Sequence, residues 1–197
     1  MRDIEVIDSP AAAAAVLDPI RSRLLAELAE PASAAALSER MGIPRQKVNY
    51  HLRALETHGL VEVAGHRKWG GLIERRMVAS ATSYVVSPGA LGPVAADPGR
   101  TRDRLSAGYL IALAARIVRE MSDLGRRARE TGKRLPTLSV DTEMRFRSAA
   151  ERAAFTRELT EAVTGLVARY HDARAPGGRL HRLVVVSHPL PQETKGA

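Results

Sequence analysis

Gly42, Ile43 and Pro44 stand between two short amphipathic runs, and this punctuation constrains the fold more than any other feature of the chain. Upstream, Ala36, Leu37 and Met41 recur at helical spacing behind Ser33, a residue suited to cap a helix start. Downstream, Val48, Leu52 and Leu55 recur at the same period until Gly59. Glycine closes a helix readily, and proline is at home in the first turn of the next. Two helices joined by so short a link must cross, with their apolar sides turned to one core. This is the helix-turn-helix pattern.

The second helix, about 44–58, raises the question of what its other side meets. At about 100° per residue, Gln46, Asn49, Tyr50 and Arg53 fall opposite the apolar stripe, flanked by Arg45 and Lys47. Amides and guanidinium groups bond base edges in the major groove, and cations hold phosphates. The N-terminal part of a recognition helix reaches the bases. Arg45, Gln46, Lys47, Asn49 and Tyr50 are therefore the candidate base contacts, and Arg53 a candidate backbone contact. His51 lies toward the apolar flank and reads as a packed histidine. His58, at the helix end, reads as a partner for last-turn carbonyls.

Charge supports a polyanionic partner by its placement rather than its total. The net charge is +8, but residues 1–98 hold 11 basic and 11 acidic residues. Between Arg40 and Arg76 there are eight basic residues against three acids. Phosphates feel such a segment within a Debye length of about 8–10 Å. The remaining excess lies in the second half, where Gly125–Arg134 reads as a solvated helix end.

The flanking segments complete a recognisable order. Asp18 and Pro19 open a helix carrying Ile20, Leu24, Leu25 and Leu28, which Pro31 ends. After Gly59, Leu60, Val61 and Val63 start a strand, Gly65, Gly70 and Gly71 bracket a turn, and Leu72 to Val86 forms a second arm. A hairpin placed directly after a helix-turn-helix is a wing. Its tip puts His66, Arg67 and Lys68 where DNA backbone would lie, with Trp69 across the hairpin or the body of the domain.

DPIRSRLLAELAE, ALSERMGIPRQKVNYHLRALETHGLVEV and the basic wing with ERRMVA together resemble the winged-helix domain of ArsR-type bacterial transcription regulators over about residues 10–90. The resemblance implies a homodimer on a double-stranded DNA operator, usually a ligand-released repressor. The chain departs from the metal-sensing members, since it has no cysteine.

The expected class is α+β, with a winged helix-turn-helix domain at 1–90, a linker at 91–100 and an α/β dimerisation and effector domain at 101–197. The linker follows from SPGALGPVAADPG, which continues neither helix nor strand. Beyond it, Leu105, Tyr109, Leu113, Ile117, Met121 and Leu124 stripe a helix over about 101–131. Leu138, Val140, Met144 and Phe146 alternate like a half-buried strand, Ser148 and Glu151 open a third helix, and LVVV near residue 185 reads as a last strand. The predicted unit is a long helix plus strand–helix–strand, with Tyr109 and Met121 bordering a pocket for a small organic effector.

No phosphate-binding loop, nucleophile elbow or dinucleotide fingerprint occurs, so no enzyme activity and no cofactor are expected. His171, Asp172, His181 and His188 are spaced unlike a compact metal motif, and Asp141 with Glu143 reads as a solvated strand face. No apolar run is long enough for a membrane span, and the acidic MRDIEVIDSP start is unlike a signal peptide, so a cytoplasmic protein is expected. The rival readings are a winged-helix protein-interaction module and a DNA-binding regulator without any effector.

Overall fold

The computed structural model describes residues 1–69 and 72–191. The side chains of Trp69 and Leu72, and the wing turn expected at Gly70 and Gly71, lie outside the described residues.

The helical part begins with α1 (Pro10–Leu17) and α2 (Pro19–Glu27). Asp18 caps α2 by accepting from the backbone N–H groups of Ile20 and Arg21, both at 3.0 Å. That satisfies two donors a helix start otherwise leaves free. Next come α3 (Ala34–Met41), capped by Ser33, and α4 (Arg45–Thr57). Gly42 between them adopts φ 67°, the left-handed conformation that lets α3 stop and the chain reverse. Ser38 Oγ donates to the Ile43 carbonyl at 2.6 Å and ties the turn back to α3. Leu24, Leu28, Leu37, Val48 and Leu55 are fully buried where these helices meet.

The wing consists of β3 (Val61–Trp69) and β4 (Leu72–Ala79), antiparallel. A short β2 (Ala32–Ser33) pairs with β4 and gives the sheet order β2–β4–β3. The register shifts between Val63 and Gly65, a bulge that bends and twists the distal half of the hairpin.

The expected second arm, Leu72 to Val86, is two strands. At buried Ser80 the chain leaves the wing, and β5 (Ala81–Val86) pairs in parallel with β1 (Arg2–Ile7), a strand the acidic N-terminus did not announce. Tyr84 pins this switch, its hydroxyl donating to the Leu60 carbonyl at 3.0 Å.

Residues 87–100 form 3₁₀ turns, Pro88–Val94 and Pro98–Arg100, rather than a bare linker. They pack against α5 (Ala107–Thr131), which starts at the Ser106 cap, so Leu105 is outside the helix and almost wholly exposed. On α5, Ala112, Ala115 and Ser122 are buried; Arg119 donates to the Ala96 carbonyl at 2.9 Å, and Ser122 bonds the Asp8 carboxylate. Leu113, Ile117, Met121 and Leu124 lie on roughly the opposite side at 100° per residue. Of these, Met121 and Leu124 are exposed.

The chain divides into two compact units, Met1–Thr137 and Leu138–Ala197. The break expected at 91–100 is therefore not where the chain separates, because the small-residue face of α5 is buried together with the winged-helix half. In the second unit, α6 (Ala149–Tyr170) starts as predicted at Ser148, whose hydroxyl accepts from the Glu151 N–H at 3.1 Å. Glu151 reaches the N–H of Arg147 at 2.6 Å, one residue earlier than in the usual capping box. Phe146 and Phe155 pack with ring centroids 5.3 Å apart. The expected strands at 137–147 and 179–188 are absent among the described residues: both segments are irregular, and Leu138, Val140 and Leu180 are exposed. Alternation specifies which side of a strand would be buried, but a strand also needs a neighbour to take its backbone hydrogen bonds.

Candidate nucleic-acid interface

Helix α4 separates its residues cleanly. Val48, His51, Leu52 and Leu55 are buried against the neighbouring helices, while Arg45, Gln46, Lys47, Asn49, Tyr50 and Arg53 are exposed. Arg45, Gln46, Asn49, Tyr50 and Arg53 line one open depression. Lys47 is exposed beside it, on the flank nearer His51. Tyr50 is 68% exposed and stands edge-on to the His51 ring, centroids 5.2 Å apart. The α4 start has no side-chain cap, so its first N–H groups are left to outside acceptors.

The cations fall into two groups. Arg40 pairs with Glu27 at 3.5 Å, Arg75 with Glu56 at 2.5 Å, and Arg76 donates to the Pro31 carbonyl at 2.6 Å. The side chains of Arg45, Lys47, Arg53, Arg67 and Lys68 make no ion pair or hydrogen bond among the described residues. His66, Arg67 and Lys68 lie exposed on β3, beyond the bulge. The residues proposed from sequence to touch DNA are thus the unengaged ones. The three that sequence reasoning counted only as charge are engaged by neighbours within the domain. The ion pairs depend on neighbours 13 and 19 positions away, a separation no helical or strand period reveals.

His51 sits under this surface, 6% exposed, and neither ring nitrogen has a hydrogen-bond partner among the described residues. Burial pushes its pKa down; Asp18 opposes this, and Arg21 and Lys47 add to it. Asp18 is itself held low, first by the N–H of Arg21 and also by that residue's guanidinium.

Tyr109 is half-buried and Met121 exposed on α5, and neither lines the depression on α4. Among the described residues no three His, Asp or Glu side chains come together as a metal site, and no helix is long and apolar enough to cross a membrane.

A family model described as a helix-turn-helix domain matches residues 16–64, from the end of α1 through α4 into β3. The match covers both crossing helices and the whole of α4. No curated protein gives a significant match to the chain.

Proposed function

We propose that this protein is a sequence-specific DNA-binding transcription regulator, acting as a homodimer on an operator and working as a repressor. The observation that carries the reading is α4: a helix in helix-turn-helix position with one side buried and the other lined by exposed Arg45, Gln46, Asn49, Tyr50 and Arg53. Docked in a major groove, this side offers bidentate amides and guanidinium groups to base edges. The wing then brings Arg67 and Lys68 to the adjacent backbone. Cations without counter-ions on one surface favour a polyanionic partner over an apolar one.

The dimer is supported by the geometry that a two-fold operator requires. Half-sites on one face of the duplex lie about 34–36 Å apart, so two α4 helices must be held at a set separation. The stripe Leu113, Ile117, Met121 and Leu124 lies away from the side by which α5 packs on its own domain, and it is the surface we assign to the partner protomer. Repression accords with the ArsR-type resemblance.

The test is selection of duplexes from a random pool by the full-length chain, followed by titration of the selected duplex across salt concentrations. Enrichment of a two-fold symmetric sequence is expected, with log K falling by about 0.9 per phosphate neutralised. Failure to enrich any duplex would move the interaction-module reading ahead.

A further inference from the structure

The wing hairpin is a long projection with a narrow base. Its body contact through β2 is two residue pairs, Ala32 with Met77 and Ser33 with Arg76. An isolated two-stranded ribbon is marginal in water, and the bulge at Val63–Gly65 gives this one a bend exactly where it leaves the domain. Something must hold the bend if the tip is to meet DNA at a fixed distance from α4.

Arg75 and Arg76 stand at that point. Arg76 pairs with Gly65 and Arg75 with His66, the first positions beyond the bulge. Being consecutive in a strand, their side chains leave on opposite faces. Arg75 reaches Glu56 in the last turn of α4 at 2.5 Å, and Arg76 reaches the Pro31 carbonyl before β2 at 2.6 Å. One brace runs to the recognition helix and the other to the opposite flank.

We propose that Arg75 and Glu56 are positioning residues for DNA binding: their ion pair fixes the angle between wing and recognition helix, so that Arg67 and Lys68 reach phosphate while α4 reads bases. This rests on the reading that α4 and the wing bind duplex DNA. It assigns Arg75 a role other than phosphate contact, and gives an acidic residue beside a polyanion a favourable role.

The sign of one measurement separates these roles. Glu56→Gln removes a negative charge next to the binding surface, which by electrostatics alone tightens binding. If the pair positions the wing, Glu56→Gln instead weakens it. The experiment uses the full-length chain, a duplex it has itself selected, and the variants Glu56→Gln, Arg75→Gln and the exchanged pair Glu56→Arg with Arg75→Glu. Both single variants are expected to weaken binding about two- to fivefold, the range that a half-exposed ion pair supplies. Both should lose hydroxyl-radical protection at the wing edge of the footprint while keeping it in the major groove, and the exchanged pair should recover both. Unchanged thermal melting of each variant separates wing pose from loss of fold. Tighter or unchanged binding by Glu56→Gln, with a fall of about one in the salt slope for Arg75→Gln alone, would make Arg75 a phosphate contact and overturn the proposal. So would failure of the exchanged pair to recover. Absence of any selected duplex for the unaltered chain is a different result, and it removes the DNA-binding reading itself.

Discussion

Within one turn, α4 gives one position to the core and the two before it to solvent. Asn49 and Tyr50 are exposed, while His51 is buried with no partner for either nitrogen. Because burial lowers its pKa, the folded chain binds a proton there less readily than the unfolded chain does. Stability is therefore intact above the ordinary value of 6.5 and falls as pH drops below it toward the folded value, where the loss levels off. The shift of Asp18 acts only below its ordinary 3.8, so the two windows are separate. Melting temperature is expected to decline as pH falls below about 6.5. His51→Gln should flatten the decline whatever its effect at neutral pH; an unchanged slope would place the titrating group elsewhere. On the exposed side, Gln46→Ala or Asn49→Ala should relax sequence preference, at about 1–3 kcal/mol per lost bidentate contact. Arg67→Ala or Lys68→Ala should weaken binding to all duplexes alike. Competition against a mismatched duplex distinguishes these, and a reversed pattern would exchange the roles of helix and wing.

At the scale of elements, what was legible in the sequence is what local chemistry decides. Ser9, Asp18, Ser33, Ser106 and Ser148 cap α-helices, and the sequence reading named three of the five. Gly42 ends α3 in the left-handed conformation that glycine alone takes easily. An alanine there meets no atom within 4 Å, so Gly42→Ala isolates the backbone cost, expected at about 1 kcal/mol and read as a lower melting temperature. A shift too small to measure would mean that the turn relaxes to another conformation. Strands fared worse, for a physical reason. β1 forms because β5 lies beside it, and RDIEVI carries no alternation strong enough to say so. LSVDTEMRF alternates well and yet remains irregular. The α4 surface was readable because helical period alone sorts its two sides; the division between engaged and free cations was not, since Glu27, Glu56 and Pro31 approach only after folding.

Across the whole molecule, the Pro- and Gly-rich stretch after Ser87 reads as a divider in the sequence and is two 3₁₀ turns set against α5. Small residues at Ala112, Ala115 and Ser122 let α5 approach it closely. In the sequence, the larger apolar stripe drew attention away from this face. The apolar side of α5 makes a prediction of its own. On the proposed dimer, Ile117→Glu should leave the domain folded but shift sedimentation of the full-length chain to monomer and weaken binding to a two-fold operator. A variant that sediments like the unaltered chain would remove the stripe from the protomer contact.

The parallel pairing of β1 with β5 also sets an order of events in time. Arg2 lies beside Ala81 and Ile7 beside Val86, so this ladder closes a loop of nearly the whole winged-helix domain. The caps, the α3–α4 turn and the hairpin join residues much nearer along the chain, and short closures are entropically cheaper and faster. During synthesis the first strand leaves the ribosome early and then waits, its backbone groups on water, until residue 86 has followed. Pulse-labelled amide exchange during refolding should accordingly find α2 to α4 protected first and Ile4 to Ile7 last. On this expectation β1 is the last stitch of the domain, and simultaneous protection of both sets would show that this ladder forms part of the folding nucleus instead.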